Sequence, residues 1–112
     1  MISRQLIAAS TSPLLLSILA EGESYGYAII QRVQDLSGGE IRWTEGMLYP
    51  VLHRLERKGC VSACWREGTN GRSRKYYRLT ARGRKLLDRE RTEWSAVQTT
   101  FAKLWEERPC PT

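Results

Sequence analysis

The sequence is short of the side chains that most enzymes use for catalysis. It has a single histidine, His53, and its carboxylates are scattered along the chain. It contains no glycine-rich phosphate motif, and Cys60 and Cys64 together with His53 do not match a known zinc-ligand spacing. A nucleophile–base pair, a metal cluster or a phosphate loop would each require residues that this chain does not group together. We therefore expect no enzymatic activity, no cofactor and no bound metal.

Long apolar segments are missing as well. No stretch approaches the roughly 18 consecutive apolar residues of a membrane-spanning helix, and no secretory signal is recognisable. The chain has 3 cysteines, an odd number that does not suggest a disulfide framework. We therefore expect a soluble, cytoplasmic protein without membrane contact, whose free thiols serve as small buried apolar groups.

Positive charge is what the chain has in excess. Its 112 residues suffice for one domain with one modest core, and they carry a formal net charge of +6. Eight Lys or Arg lie between Arg66 and Lys85, against a single acid, Glu67. Such a patch suits a polyanion, whose binding would depend on salt through counterion release. A merely solvated surface is the alternative explanation of the same charges.

The basic residues belong to a stretch, residues 44–80, whose pattern indicates a helix followed by a hairpin. Apolar residues recur at helical spacing after Thr44, the predicted N-cap, and Gly59 is the predicted stop. Two strand-like runs then flank Asn70-Gly71, a dipeptide typical of hairpin turns. A helix followed by a basic two-stranded wing is an arrangement typical of DNA readers.

A first helix is predicted over residues 2–20, and Pro13 leaves its start open. Either Ser12 caps a late start with Pro13 in the first turn, or the helix begins near Ser3 and kinks at Pro13. Local rules favour the late start, because an early start loses one backbone hydrogen bond that packing elsewhere would have to offset.

A second helix is predicted from about Tyr25 to Leu36, with Ser24 as its N-cap. The short segment 40–43 then has the composition of an extended piece, and we expect it to add a small strand to the wing sheet. Two short helices joined by a few residues, the second with an exposed polar face, indicate a helix-turn-helix.

A long fourth helix is predicted from Ala81 to about Glu107, with Thr80 as its N-cap. Its apolar residues follow steps of three, four and seven, typical of a seam between paired helices: Leu87, Trp94, Val97, Phe101 and Leu104. We predict a homodimer through this seam, the alternative being that it folds back on the first helix of its own chain. The predicted division is a DNA-binding domain over residues 1–80 and a dimerisation helix and tail over residues 81–112.

Four motifs resemble the PadR family of bacterial transcriptional regulators: Tyr25-Gly26-Tyr27, Leu48-Tyr49-Pro50, Leu55-Glu56 with Lys58-Gly59, and Tyr76-Tyr77-Arg78-Leu79-Thr80 followed by Gly83. The resemblance spans roughly residues 13–94 with the motifs in order. It implies a mainly α fold with a small β-wing, in which a winged helix-turn-helix dimerises through its C-terminal helix and usually represses transcription. Tyr25 is a departure, since the family most often has histidine there.

The chemistry of the side chains then assigns roles in DNA binding. The N-terminal half of the third helix is predicted to enter the major groove, the wing to follow the backbone or enter the minor groove, and the start of the second helix to meet a phosphate. The predicted DNA-binding residues are Ser24, Tyr25, Thr44, Glu45, Tyr49, His53, Arg72, Ser73, Arg74 and Lys75. The expected partner is double-stranded DNA carrying a palindromic operator.

Several tyrosines of the chain could pack in the hydrophobic core instead of contacting DNA. Tyr49 is our first choice for a DNA contact, but it also fits a core position. Tyr76 and Tyr77 alternate along one strand, so at least one of them is expected to pack in the core. A winged-helix module that contacts proteins without DNA is the alternative for the whole chain, because fold does not fix function.

Trp94-Ser95 with Val97 resembles a stretch of the C-terminal helix in short multidrug-sensing PadR members. In those proteins a tryptophan from each subunit flanks a pore at the dimer centre and stacks planar aromatic drugs. The resemblance implies a small aromatic effector at Trp94 and Val97, a role that suits a large ring on an open seam. The alternative is that Trp94 only packs in the dimer interface.

Overall fold

The structure is a computed structural model and describes residues 1–106. The elements in this part of the chain are α1 (Arg4–Ala20), β1 (Ser24–Tyr25), α2 (Gly26–Leu36), α3 (Glu45–Arg57), β2 (Val61–Glu67), β3 (Ser73–Leu79) and α4 (Ala81–Trp105). The predicted class, mainly α with a small β-wing, is confirmed. None of the helices over residues 1–106 combines the length and the hydropathy needed to cross a membrane. The predicted end of α4 at Glu107 and the third cysteine, Cys110, lie outside the described residues.

Helix α1 begins early, so the predicted late start at Ser12 is wrong. The Ser3 side chain accepts a hydrogen bond from the backbone N–H of Leu6, and Pro13 lies inside the helix. Contacts with α4 offset the bond that Pro13 removes, and among them the hydroxyl of Ser12 donates to Oε1 of Glu90 at 3.2 Å. Local rules failed here because tertiary packing outweighed them.

The third strand of the wing sheet comes from a different place than predicted. Ser24 and Tyr25 pair with Tyr77 and Tyr76 of β3, which makes Tyr25, and not Ser24, the N-cap residue of α2. The segment 40–43 is not a strand, since Trp43 turns into the core and is 3% exposed. A two-residue strand carries no periodicity, so the alternation that identifies longer strands could not identify it.

The predicted limits of α3 are confirmed. The Thr44 side chain accepts a hydrogen bond from the backbone N–H of Met47 at 3.2 Å, and Glu45 occupies the first turn, where a carboxylate is favourable. After α3, Gly59 has a φ of +76°, a conformation that glycine adopts without steric cost. The recognition-helix candidate is therefore fixed at both ends by local sequence.

The wing consists of β2, β3 and the turn between them, residues 61–79. The two strands pair antiparallel from Val61 opposite Leu79 to Glu67 opposite Ser73, and the sheet order is β1-β3-β2. The predicted turn at Asn70-Gly71 lies between them, with Gly71 at a φ of +72°. Along β3, Tyr77 is buried and Tyr76 is only half-buried, which confirms that one of the two packs in the core.

One hydrophobic core joins α1, α2, α3, the base of the wing and the start of α4. Gly83 is buried there, and a Cβ at this position would overlap the carbonyl oxygen of Cys60. Leu87 is 5% exposed and packs in the same core. Cys60 is buried as expected, whereas Cys64 is exposed, because it lies on the outer face of the sheet.

Candidate nucleic-acid interface

A cleft of about 510 Å³ lies between α3, the start of α2 and the wing. We call it the reading cleft. It brings together most of the predicted DNA-binding residues, namely Tyr25, Glu45, Tyr49, His53, Ser73, Arg74 and Lys75. These residues come from three separate parts of the chain. Their convergence is produced by the packing of α3 against both the wing and α2.

Tyr49 lines the reading cleft and is half-buried. Its ring lies 6.2 Å from that of His53, and its hydroxyl is directed at Gly26, where an added Cβ would be 2.5 Å from the oxygen. The absence of a side chain at Gly26 is therefore what lets Tyr49 lie along the start of α2. The ring contacts the core while its edge stays open to the cleft.

The cations of the wing differ in how far they are committed to the protein. Nζ of Lys75 lies 3.8 Å from a carboxylate oxygen of Glu56 and 5.5 Å from the ring centre of Tyr77. Arg72, in the turn, and Arg74, on β3, are both exposed, and neither forms an ion pair within residues 1–106. Arg78 is exposed as well but donates to the Ser62 hydroxyl at 3.0 Å, so Arg72 and Arg74 are the wing cations that no carboxylate or hydrogen-bond acceptor within residues 1–106 engages.

Three predicted residues lie outside the lining of the reading cleft. Ser24 is half-buried in β1, Thr44 caps α3 from an exposed position, and Arg72 lies on the turn of the wing. No side chain caps α2, because Tyr25 makes no capping hydrogen bond. The first N–H groups of α2 therefore have no side-chain acceptor from the N-cap residue.

Two aromatic residues of the reading cleft, Tyr27 and Trp65, are not among the predicted DNA-binding residues. Both line the cleft and are largely exposed, at 68% and 67% respectively. Trp65 lies opposite Lys75 in the β2–β3 ladder and shares strand parity with buried Val61, so its position on the cleft side of the hairpin was a usable signal. Tyr27 lies on the first turn of α2, and its exposure could not be deduced without the position of that helix.

Tyr77 forms the buried floor of the reading cleft. Its hydroxyl has no hydrogen-bond partner within residues 1–106, and its side chain is 1% exposed. Burial, followed by the nearby Glu56 and Tyr49, raises the pKa of Tyr77 above its ordinary value. The phenol therefore stays neutral at physiological pH and serves as floor, not as a charged contact.

The opposite end of the molecule, the second half of α4, exposes apolar side chains. Val97 is 45% exposed, Phe101 43% and Leu104 73%. The ring of Phe101 stacks on that of Trp105, with centroids 4.5 Å apart. Leu87, the first residue of the predicted seam, is instead covered by its own chain. The start of the seam is therefore buried within the single chain, whereas its second half is uncovered.

Trp94 lies between these two parts of α4 and is half-buried. It lines a second cleft, of about 560 Å³, between α1 and α4. Leu6, Pro13 and Leu14 supply apolar walls, and Arg91, Ser95 and Gln98 supply polar groups. Val97, the other predicted effector residue, is not part of this lining.

Comparisons with known proteins give one matching family and several similar proteins. The model of the Transcriptional regulator PadR-like family matches residues 15–89. A transcriptional regulator from Clostridium thermocellum has a solved structure that superposes with a TM-score of 0.84 at 30% identity, covering 95% of this chain and 100% of that one. An uncharacterized protein of Lysinibacillus sphaericus is 31% identical over 88% of this chain and 90% of its own length. The transcriptional regulator Rv3488 of Mycobacterium tuberculosis is 43% identical over 52% of this chain and 53% of its own length.

Proposed function

Because the chain belongs to the PadR-like family of transcriptional regulators, we propose that it is a homodimeric repressor that binds a palindromic operator in double-stranded DNA. Residues 1–80 form the reading domain in this proposal, and α4 with the tail after it forms the dimer. The first turns of α4 also belong to the core of the reading domain, since Gly83 and Leu87 are buried there. A displacement of α4 would therefore also change the packing at the base of the wing.

The reading cleft is the observation that carries DNA binding. It presents Tyr49 and His53 from α3 beside Arg74 and Lys75 from the wing. Tyrosine and histidine can donate to base edges or phosphates, whereas arginine and lysine neutralise the backbone charge. Tyrosine, tryptophan and arginine are also enriched at protein-docking surfaces, so the feature that discriminates is the excess of basic side chains on the wing. The exposed cations of the wing thus favour DNA over a protein partner.

The exposed face of α4 supports the dimer. Val97, Phe101 and Leu104 recur at heptad spacing and are uncovered in the single chain. Pairing the same helix from a second copy would bury these side chains and place two reading clefts in a two-fold arrangement. A palindromic operator follows from that symmetry.

Selection of bound fragments from a pool of random DNA duplexes tests both parts together. We expect enrichment of an inverted repeat, and a slope of log affinity against log salt of roughly −5 if about six basic residues per dimer touch phosphate. Enrichment of a sequence without symmetry would contradict the dimeric reader. If no sequence is enriched, and any residual affinity for DNA does not change with salt, the result would contradict DNA binding and favour a protein-contact module.

For the effector, we propose that a small planar aromatic molecule binds against Trp94. Its half-buried ring borders an apolar cleft and the uncovered seam at once. Titration with a planar cationic dye, ethidium, should quench tryptophan fluorescence in the native chain. Because the chain has 4 tryptophans, the same titration of Trp94→Phe should lose most of that quenching. Equal quenching in the two proteins would leave Trp94 with a packing role only.

A further inference from the structure

The outer face of the wing sheet carries a row of aromatic and charged side chains. Side chains alternate along a strand, so Arg74 and Tyr76 of β3 share the face opposite to buried Tyr77. Tyr25 of β1 pairs with Tyr76, and Arg66 of β2 pairs with Arg74, so both join the same face. This face is built from all three strands and faces away from the core, and its members Tyr25 and Arg74 also border the reading cleft, next to the edge strand β1.

The members of this row contact one another in sequence. The guanidinium carbon of Arg74 lies 4.5 Å from the ring centre of Tyr25, and the rings of Tyr25 and Tyr76 meet edge to face at 5.2 Å. The guanidinium carbon of Arg66 lies 5.2 Å from the ring centre of Tyr76, and Arg66 forms an ion pair with Glu23. The row thus ties the far part of the wing to residues 23–25, immediately before α2.

The row also separates the roles of its two arginines. Arg66 and Arg74 are directly opposite in the ladder, and like charges in that position repel. Glu23 compensates the charge of Arg66, whereas Arg74 has only the ring of Tyr25 beneath it. A guanidinium stacked on a ring keeps the N–H groups at its edge free to donate. Arg74 is therefore oriented but not neutralised.

From this geometry we propose that Tyr25 is a positioning residue for DNA binding, which holds the Arg74 guanidinium in the orientation that meets a phosphate. The proposal rests on the DNA-binding function proposed above. Ordering a long side chain costs free energy when it happens on binding. Stacking on Tyr25 means that part of this ordering is complete in the free protein. The phenol hydroxyl of Tyr25 has no role in this proposal; its ring does.

A measurement without DNA tests the contact itself. In the native chain, the Cδ protons of Arg74 should be shifted upfield by the ring current of Tyr25 in the NMR spectrum. The shift should persist in Tyr25→Phe and disappear in Tyr25→Leu. Unshifted Arg74 protons in the native chain would overturn the proposal whatever the protein does with DNA. A shift that is present in a chain without DNA affinity would overturn the proposed function instead, and the role of Tyr25 in binding with it.

A double-mutant cycle on the selected operator then tests the role in binding. Tyr25→Leu should weaken binding roughly three- to tenfold, about the strength of a cation–π pair at such a site, and Tyr25→Phe should restore most of it. In an Arg74→Ala background, Tyr25→Leu should have little further effect. Independent, additive losses would contradict positioning, and an equal loss in Tyr25→Phe would indicate that the hydroxyl contacts DNA directly.

Two further variants guard against a folding effect and against a general effect on the wing. Arg74→Lys keeps the charge on an exposed side chain but loses the planar stack, so it should weaken binding about as much as Tyr25→Leu. Arg78 lies on the same face of β3 but is held by the Ser62 hydroxyl at 3.0 Å. Arg78→Ala should therefore combine additively with Tyr25→Leu. Coupling as strong as that of Arg74 would mean that Tyr25 supports the whole sheet and does not act through Arg74.

Discussion

The two ends of the molecule leave different kinds of side chain uncovered. At the wing end the core is covered by the chain itself, and the exposed residues are cationic and aromatic, such as Arg74 and Trp65. At the other end, the second half of α4 exposes Phe101 and Leu104, with little of the chain around them. The Cα extents of 69 × 29 × 21 Å reflect this projecting helix. One end is suited to a polyanion and the other to an apolar surface.

The difference between the wing end and the α4 end shows that one helix can contribute to both, since α4 begins in the core and ends in solvent. The first turns of α4 are as buried as any core helix, with Gly83 against the backbone of Cys60 and Leu87 at 5% exposure. From Val97 onwards the same apolar spacing faces solvent. Sequence periodicity therefore identifies an apolar face, but the position of neighbouring elements decides whether its own chain covers that face.

The largest expected effect comes from placing charge on the uncovered end. Phe101→Glu combined with Leu104→Glu should shift the protein to a monomer, because two carboxylates would be buried in the paired seam. Burying an unpaired charge costs several kcal/mol, so the dimer dissociation constant should rise on the order of 1000-fold. Analytical ultracentrifugation at micromolar concentration measures this change, and operator affinity should fall with it.

A matched control for this change is Thr99→Glu. Thr99 is exposed and lies two residues from Val97 and from Phe101, on the other side of the helix. It should leave both the mass and the operator affinity near those of the native protein. A seam double variant that remains dimeric would break the comparison, since it would show that the apolar end is not the interface.

The second largest effect is expected where the two ends join. Gly83→Ala would place a methyl group into the carbonyl of Cys60, a backbone atom that cannot move aside cheaply. We expect a loss in the free energy of unfolding on the order of 3 kcal/mol, at the upper end of overpacking effects. Urea denaturation followed by circular dichroism measures it.

The control for the junction is a glycine with free space around it. A methyl group added at Gly46, in α3, would have only the Thr44 hydroxyl within 4 Å, at 3.8 Å. Gly46→Ala should therefore stabilise the fold slightly, by about 0.5–1 kcal/mol, because alanine favours the helix. Similar destabilisation by the two substitutions would mean that the contact at Gly83 is not the cause.

Local signals predicted the elements that are defined by their own sequence. Thr44 and Thr80 cap α3 and α4 as expected, and the turn at Asn70-Gly71 connects β2 and β3. The failures occurred where distant residues decide. The start of α1 depends on α4, through contacts such as Ser12 with Glu90, and β1 exists only because β3 lies beside it.

The candidate site follows the same rule. Tyr49, His53 and Arg74 were chosen from helix face and wing position, and the structure brings them into one cleft. Trp65 was missed because the density of charge on the hairpin favoured its cations over an exposed aromatic beside them. The stacking of Arg74 on Tyr25 could not be predicted either, because it requires the register of β1 against β3.

A smaller effect, confined to the wing end, is expected from Tyr49→Phe. The ring would stay between α3 and α2 while the hydroxyl is lost. A hydrogen bond to a charged partner contributes about 1.5–3 kcal/mol, so operator affinity should fall at least about tenfold with the unfolding free energy little changed. Tyr76→Phe, a hydroxyl deletion outside the cleft, should leave affinity unchanged. Unchanged affinity in Tyr49→Phe would remove Tyr49 from the proposed contacts.

The smallest expected effect tests whether the start of α3 contributes more than its cap. Thr44→Ala removes the acceptor for the Met47 N–H and should cost about 1 kcal/mol of stability, whereas Thr44→Ser keeps an oxygen there and should cost less. If Thr44 acts only as a cap, operator affinity should track this stability loss and be restored by serine. If affinity falls in both variants, the threonine methyl group itself contacts the DNA. The DNA-binding surface then includes Thr44, which lies outside the lining of the reading cleft. Thermal melts and operator titrations of the two variants separate these outcomes.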